Sequence, residues 1–314
     1  MQSNAQPWPR LIDLDAATER QLMVGGTRWP SRSAMSRVAD GPFATRLIAD
    51  LDAGRPIVTR FDPQLGDEQL RALLLATASL LGSLVPQDVS GDQLVDVLDT
   101  RPADTETARG YLSNSRMLLH TDPVEILGLL CLSPATEGGI TLLRQAQDVH
   151  EQLNQDSGRI SIYFQDWSWA LPAGSSDTRP GREGVKSPVL ARTGEEVVVQ
   201  YGSHLLRQGI HDDEQAQERW NALDAFDRLA NDRGRYTTLT LQRGECLWID
   251  NYRTLHGRTA FEDGGRPRHM VRAWLWRYDP SRRPSAFRSL ARAFGSDEQM
   301  LQSHGEAAKV KGSV

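Results

Sequence analysis

The chain has 314 residues, a formal net charge of −5 and a sequence pI near 5.8. Its 39% hydrophobic residues, 25% charged residues and mean hydropathy of −0.48 are typical of a globular protein, and the acidic balance argues against a nucleic-acid partner. The first ten residues hold no apolar signal core, and the longest apolar run, 126–132, is far shorter than the roughly 20 residues of a membrane helix. We therefore expect a cytoplasmic protein with no membrane partner.

The first third of the chain predicts helices around one strand. Weak helical patterns cover 15–23 and 44–52, and 56–61 alternates like a strand. The clearest early helix begins at Asp67, a plausible N-cap, and ends before Pro86. Its predicted buried face consists of Leu70, Leu73, Leu74, Thr77 and Leu81. The polar stretch 88–108 is predicted to be a loop that runs towards a functional site.

From Tyr111 onwards the pattern changes to short strands with a few helices. Predicted strands are 117–120, 124–132, 140–143, 159–164, 195–200, 236–241, 246–249 and 270–276; predicted helices are 148–153, 214–231 and 286–294. Many short strands with peripheral helices predict a mainly β fold, a sandwich or jelly roll. Because no composition break marks a boundary, we expect one domain over 1–314, with its core at about 110–278 and a tail from about 279, whose last dozen residues we expect to be disordered.

A loop is predicted at 165–188, where glycines, prolines and serines are concentrated after Trp167 and Trp169. Long loops of this kind in compact domains are functional or disordered. Two interpretations carry equal weight: a flexible lid that Trp167 or Trp169 helps to close over a substrate, or a surface loop without a role.

His120 and Asp122 end an apolar run and lie two residues apart. In a strand such side chains point to the same side, so an imidazole and a carboxylate can face one metal ion. His256 is the most convincing third ligand, and two histidines with one carboxylate form the facial triad of non-haem iron(II) oxygenases. The alternative is a solvated histidine followed by a turn aspartate.

Arg268 and Arg272 follow His256 and lie four residues apart, so in a strand they also share a side. A guanidinium can hold a carboxylate through two parallel hydrogen bonds, and a buried one without a partner is costly. The pair therefore predicts an anionic ligand. The alternative is an exposed edge strand whose arginines are solvated.

Four motifs occur in order: His120-Thr121-Asp122, the segment 137–143 (EGGITLL), the segment 250–261 (DNYRTLHGRTAF) and the segment 268–272 (RHMVR). Together they resemble the taurine dioxygenase and clavaminate synthase-like branch of the iron(II)/2-oxoglutarate-dependent oxygenases, over roughly residues 110–278. The resemblance implies a double-stranded β-helix (jelly roll) that uses Fe(II), 2-oxoglutarate and O2.

The resemblance also implies site residues. His120, Asp122 and His256 would bind iron, and Thr141 and Arg268 would hold the distal carboxylate of 2-oxoglutarate. Arg272 would meet an acidic group of the substrate. The carboxylate of Asp122 argues against a halogenase, which needs that coordination position for a halide.

The implied substrate is a small polar metabolite, most simply a free or carrier-tethered amino acid that is hydroxylated in specialised metabolism. Asn114 and Ser115, just before the metal pair, either line the substrate pocket or make hydrogen bonds at a strand edge. Desaturation or ring closure is the alternative outcome on the same scaffold. Two further alternatives are a zinc or manganese jelly-roll hydrolase or isomerase that does not use 2-oxoglutarate, and a binding protein without catalytic activity.

Overall fold

The computed structural model describes residues 9–14, 16–23, 41–87, 92–99, 113–156, 160–170, 185–211 and 214–293. The predicted tail beyond residue 293, most of the 88–108 loop and the middle of the 165–188 loop lie outside these ranges. The prediction of a disordered C-terminus therefore concerns residues outside the described part.

The described helices surround the β structure. They are α1 (Ala16–Met23), α2 (Pro42–Asp52), α3 (Asp67–Leu81), α4 (Ala146–Asp156), α5 (Ser203–Gln208), α6 (Ala216–Ala230) and α7 (Arg288–Ala293), with 3-10 turns at Ile160–Phe164, Pro280–Arg282 and Ser285–Phe287. The predicted face of α3 is buried. Its N-cap is Gly66, not Asp67, because Asp67 already lies in the first helical turn and the backbone N–H of Gly66 donates to the side chain of Gln69. No described helix has the length and apolar character needed to cross a membrane.

Two sheets dominate the described strands. The strands are β1 (Arg10–Asp13), β2 (Ile57–Arg60), β3 (Gly82–Leu84), β4 (Leu94–Val97), β5 (Met117–His120), β6 (Ile126–Ser133), β7 (Glu137–Gly138), β8 (Thr141–Gln145), β9 (Asp166–Trp169), β10 (Val185–Pro188), β11 (Leu190–Thr193), β12 (Glu196–Val199), β13 (Thr237–Leu239), β14 (Glu245–Asp250), β15 (Thr254–Arg258), β16 (Phe261–Glu262) and β17 (His269–Arg277). The major sheet has the order β1-β2-β14-β6-β17-β3, with β4 also paired to β17. The minor sheet has the order β13-β8-β15-β5, and β9–β10, β11–β12 and β7–β16 are two-stranded.

The major sheet is buried on both faces. Along β14, Cys246 and Trp248 pack in the cluster formed with α1, α2 and α3, whereas Leu247 and Ile249 belong to a second cluster that includes Leu143 of the minor sheet. This alternation is what a strand with two buried faces requires. The second cluster therefore fills the space between the two sheets.

The minor sheet carries its own outer layer. Leu119 of β5 and Leu255 of β15 pack with residues of α4 and α6, including Val149 and Phe226. Since neighbouring side chains on a strand point to opposite faces, His120 and His256 face the space between the sheets. The architecture is mainly β with peripheral helices, as predicted.

Several local predictions were wrong. Segment 160–164, part of the predicted strand 159–164, is a 3-10 helix in which the consecutive residues Ile162 and Tyr163 are both buried. The predicted 88–108 loop contains β4, whose Val95 pairs with Arg272. The ends of the predicted 165–188 loop are the paired strands β9 and β10.

Candidate metal centre

His120, Asp122 and His256 meet between the two sheets. His120 and His256 are register partners of β5 and β15, with ring centroids 4.4 Å apart. Nε2 of His256 lies 3.7 Å from Oδ2 of Asp122, and the possible ligand atoms of the three side chains all lie within 4.8 Å of one another. Within the described ranges no other group of three such side chains is arranged in this way. The arrangement can hold one metal ion through three protein ligands.

The turn that carries Asp122 is built by hydrogen bonds of the chain itself. The side-chain amide of Asn251 donates to the carbonyls of Asp122 and Val124, and the backbone N–H of Asp122 donates to Oδ1 of Asn251. Thr121 and Tyr201 exchange two further bonds, from Thr121 N–H to Tyr201 O (2.7 Å) and from Tyr201 N–H to Thr121 Oγ1 (2.8 Å). The position of Asp122 is therefore set by the protein before any metal binds.

The protonation states suit a metal. Burial, together with the nearby His120, lowers the pKa of His256 to about 3, so its imidazole is neutral near pH 7. Burial raises the pKa of the Asp122 carboxyl, but the positive charge of Arg272, the nearby histidine rings and the hydrogen bond from Trp274 together outweigh burial, so the pKa lies below its ordinary value. Neutral imidazole and ionised carboxylate are the forms that bind metal ions.

Arg268 and Thr141 line a small cleft of about 20 Å³, roughly the space of a single small polar group. Arg268 is only 4% exposed, and its guanidinium has no ion-pair partner among the described residues, although the Asp263 carboxylate accepts from its backbone N–H. Burial lowers the pKa of Arg268, yet an arginine stays charged. A buried cation of this kind fits the distal carboxylate of 2-oxoglutarate, which would supply the missing countercharge.

Two neighbours contact the Arg268 side chain. The guanidinium carbons of Arg268 and Arg258 lie 5.3 Å and 4.7 Å from the centre of the Phe261 ring, so both cations lie against the same ring. Gly139 has φ +63°, and a Cβ there would lie 3.2 Å from Cδ and Nε of Arg268. Arg258 also donates to the carbonyl of Ser113. The Phe261 ring and the Gly139 backbone thus lie against the Arg268 side chain, and Arg258 has a separate hydrogen bond.

Arg272 lies beside the metal ligands. Its Nη1 is 3.6 Å from Oδ2 of Asp122, its Nε donates to Oε1 of Gln87 (2.7 Å), and its guanidinium carbon lies 4.4 Å from the Trp274 ring centre. Trp274 donates from Nε1 to Oδ2 of Asp122 (2.8 Å). Sequence reasoning missed Gln87 and Trp274. Alternation along β17 could have placed Trp274 on the side of Arg272, whereas nothing local distinguishes Gln87.

The other predicted substrate-binding residues, Asn114, Ser115 and Trp167, differ in their exposure. Asn114 is half-buried and accepts a backbone hydrogen bond from Phe261, and Ser115 is exposed beside it. Trp167 does not fit its predicted role. It is 1% exposed, donates to the carbonyl of Ile162 and packs in the cluster on the outer face of the minor sheet, so no part of it is open to a substrate.

Comparison with known proteins agrees with this geometry. The model of the taurine catabolism dioxygenase TauD, TfdA family matches residues 54–274. The chain is similar to FR-33289 synthase of Streptomyces rubellomurinus (strain ATCC 31215), with 26% identity over 301 residues that cover 87% of this chain and 86% of the relative.

Two solved structures share the fold. An asparagine oxygenase in complex with Fe(II), 2S,3S-3-hydroxyasparagine and succinate has a TM-score of 0.62 at 20% identity and covers 88% of this chain and 97% of its own. The non-heme iron oxygenase OrfP in complex with Fe and alpha-ketoglutaric acid (2-oxoglutarate) has a TM-score of 0.62 at 18% identity, covering 88% and 96%. Since the family model matches well over half of the chain, the chain belongs to the TauD/TfdA dioxygenase family and is an iron(II)- and 2-oxoglutarate-dependent oxygenase.

Proposed function

We propose that this oxygenase hydroxylates an unactivated C–H bond of a small anionic metabolite, most simply a free amino acid. The observation that carries the substrate class is Arg272, a cation that faces the metal ligands from the inner side of β17. Two structures of similar fold support it: one holds 3-hydroxyasparagine, and OrfP has also been solved with (3S)-hydroxy-L-Arg. Because those ligands are free amino acids, a free substrate is favoured over one tethered to a carrier.

The proposed scaffold is a double-stranded β-helix within a single domain. Its support is the packing of the minor sheet against the major sheet through one shared core, with the three proposed metal ligands at the end of β5, in the turn after it and on β15. Family membership leaves the metal-hydrolase and binding-protein alternatives without support.

His120, Asp122 and His256 are the proposed iron ligands, and Thr141 and Arg268 are proposed to hold the distal carboxylate of 2-oxoglutarate. Iron(II) with 2-oxoglutarate and O2 supplies the oxidising power: one oxygen atom enters the substrate C–H bond, the other enters succinate, and CO2 leaves.

The residues of the chain bind and orient the reactants. Arg272, on β17, lies 3.6 Å from Asp122, whereas Arg268, directly before β17, lines a cleft with Thr141, so the two cations can fix two different anions. Trp274 and Met270 bury the same face and exclude water from the centre. Asn114 and Ser115 are proposed to contribute to the pocket wall near the Phe261 end.

The test is a screen of amino acids with purified enzyme, Fe(II) and 2-oxoglutarate, read by mass spectrometry. The expected product carries one added oxygen, and succinate forms in equal amount. A product that has lost two hydrogens would instead identify desaturation or ring closure. Arg272→Met should raise the apparent KM for the substrate without weakening 2-oxoglutarate binding. The substrate class is wrong if no amino acid raises succinate formation above the substrate-free rate, or if Arg272→Met leaves the KM unchanged.

A further inference from the structure

Trp274 contacts Asp122, one of the proposed metal ligands, although the indole takes no part in the reaction itself. Its indole N–H donates to Oδ2 of Asp122 at 2.8 Å. Two other nitrogen atoms near this oxygen, Nη1 of Arg272 and Nε2 of His256, lie at 3.6 Å and 3.7 Å, beyond hydrogen-bond distance. In the part of the chain that the structure describes, the indole therefore makes the single hydrogen bond to the Asp122 carboxylate.

The direction of the indole is fixed by the major sheet. Trp274 pairs with Leu127 of β6, and its carbonyl accepts from the backbone N–H of Val85 at 2.9 Å. The ring is buried in the core between the sheets, with the guanidinium of Arg272 over its face. A donor held this firmly can impose one rotation on the carboxylate.

A carboxylate that has no hydrogen bond can rotate and present either one or both oxygens to a metal. Groups that hydrogen-bond to metal ligands fix their orientation, and removing one such group typically costs 10- to 100-fold in metal affinity. A hydrogen bond to an ionised group is also among the stronger kinds.

We propose that Trp274 is a positioning residue of the metal centre, which orients Asp122 by engaging one of its two oxygens. This inference rests on the assignment of the metal ligands and is independent of the substrate. It predicts that the indole N–H, rather than the bulk of the ring, sets the affinity for the metal.

The chain offers a matched control on the same strand. Trp276 lies two residues further along the inner side of β17, is also buried in the core between the sheets, and its Nε1 has no hydrogen-bond partner among the described residues. Trp274→Phe and Trp276→Phe remove the same atoms, but only the first removes a hydrogen bond to Asp122. A general loss of packing is therefore common to both variants.

The experiment titrates metal-free protein with Co²⁺ and follows the visible absorption of the bound ion, with the unfolding midpoint of each metal-free variant measured in parallel. Trp274→Phe should weaken Co²⁺ binding by about 10- to 100-fold, and Trp276→Phe by less than about twofold. In an Asp122→Ala background, Trp274→Phe should change the weaker residual affinity by less than about twofold, because the residue it acts through is gone.

The inference is overturned if Trp274→Phe binds Co²⁺ as wild type does, if Trp276→Phe loses as much affinity, or if Trp274→Phe has the same effect in the Asp122→Ala background. Failure of the metal assignment looks different: the wild type and His256→Ala would then bind Co²⁺ equally, which overturns both.

Discussion

Replacing Arg268 by methionine should separate cosubstrate binding from protein stability. The guanidinium is buried, and no carboxylate of the described residues lies within ion-pair distance. Truncating one partner of a buried charge pair costs about 2–5 kcal/mol of binding energy. Arg268→Met should therefore weaken 2-oxoglutarate binding by roughly 30- to several thousand-fold. The metal-free protein should lose little or no stability, because methionine removes a buried charge that has no ion-pair partner among the described residues.

Arg258→Met is the matched comparison for stability. Arg258 is about as buried and lies against the same Phe261 ring, but it donates to the carbonyl of Ser113. Its removal breaks this buried hydrogen bond to Ser113 and should destabilise the metal-free protein by about 1–3 kcal/mol. The urea midpoint should therefore fall clearly further in Arg258→Met than in Arg268→Met.

The assays are calorimetric titration of 2-oxoglutarate into anaerobic enzyme loaded with Fe(II), and urea unfolding of the metal-free variants. An Arg268→Met protein that binds 2-oxoglutarate within threefold of wild type would refute the assignment of the cleft. An Arg268→Met protein that loses as much stability as Arg258→Met would show that Arg268 has a structural partner in the cofactor-free state.

Two further predictions concern the neighbours of the arginines. Gly139→Ala and Gly194→Ala both place a side chain at positive φ (+63° and +62°) and should each destabilise the protein by about 1–2 kcal/mol. Only the Cβ at position 139 would contact Arg268, so only Gly139→Ala should raise the KM for 2-oxoglutarate, by roughly tenfold. Equal KM values for the two variants would contradict the contact between Gly139 and Arg268. Gln87→Leu removes the hydrogen bond from Nε of Arg272 to Gln87 and should raise the KM for the substrate by roughly tenfold. A direct titration should show unchanged binding of 2-oxoglutarate. Weaker binding of 2-oxoglutarate would instead mean that Arg272 binds 2-oxoglutarate.

Periodicity predicted much of the framework because burial on one face leaves a local pattern. Strand β5 was predicted with its observed bounds, and α3 was predicted with its buried leucines. Alternation along β5 also holds in the structure, where Leu119 packs in the outer layer and His120 joins the candidate metal centre. These features depend on neighbours along the chain, which a sequence displays directly.

The missed features depend on partners that are distant in sequence. Gln87 reaches Arg272 across 185 residues, and only the order of strands in the major sheet brings them together. The sequence around Trp167 is compatible both with a residue that covers a site and with one that packs in a core. In the structure Trp167 is buried in a core. The even spacing of Arg268 and Arg272 predicted a shared side of one strand, whereas the structure places Arg268 directly before β17, in the cleft with Thr141, and Arg272 on β17 beside Asp122.

The most direct test of the metal and cosubstrate site is anaerobic addition of Fe(II) and 2-oxoglutarate to the metal-free enzyme, followed by visible spectroscopy. The site built by His120, Asp122, His256 and Arg268 predicts a weak charge-transfer band that needs both components, is lost in His256→Ala, and requires far more 2-oxoglutarate in Arg268→Met. Absence of the band in wild type, or a band of equal intensity in His256→Ala, would contradict the account.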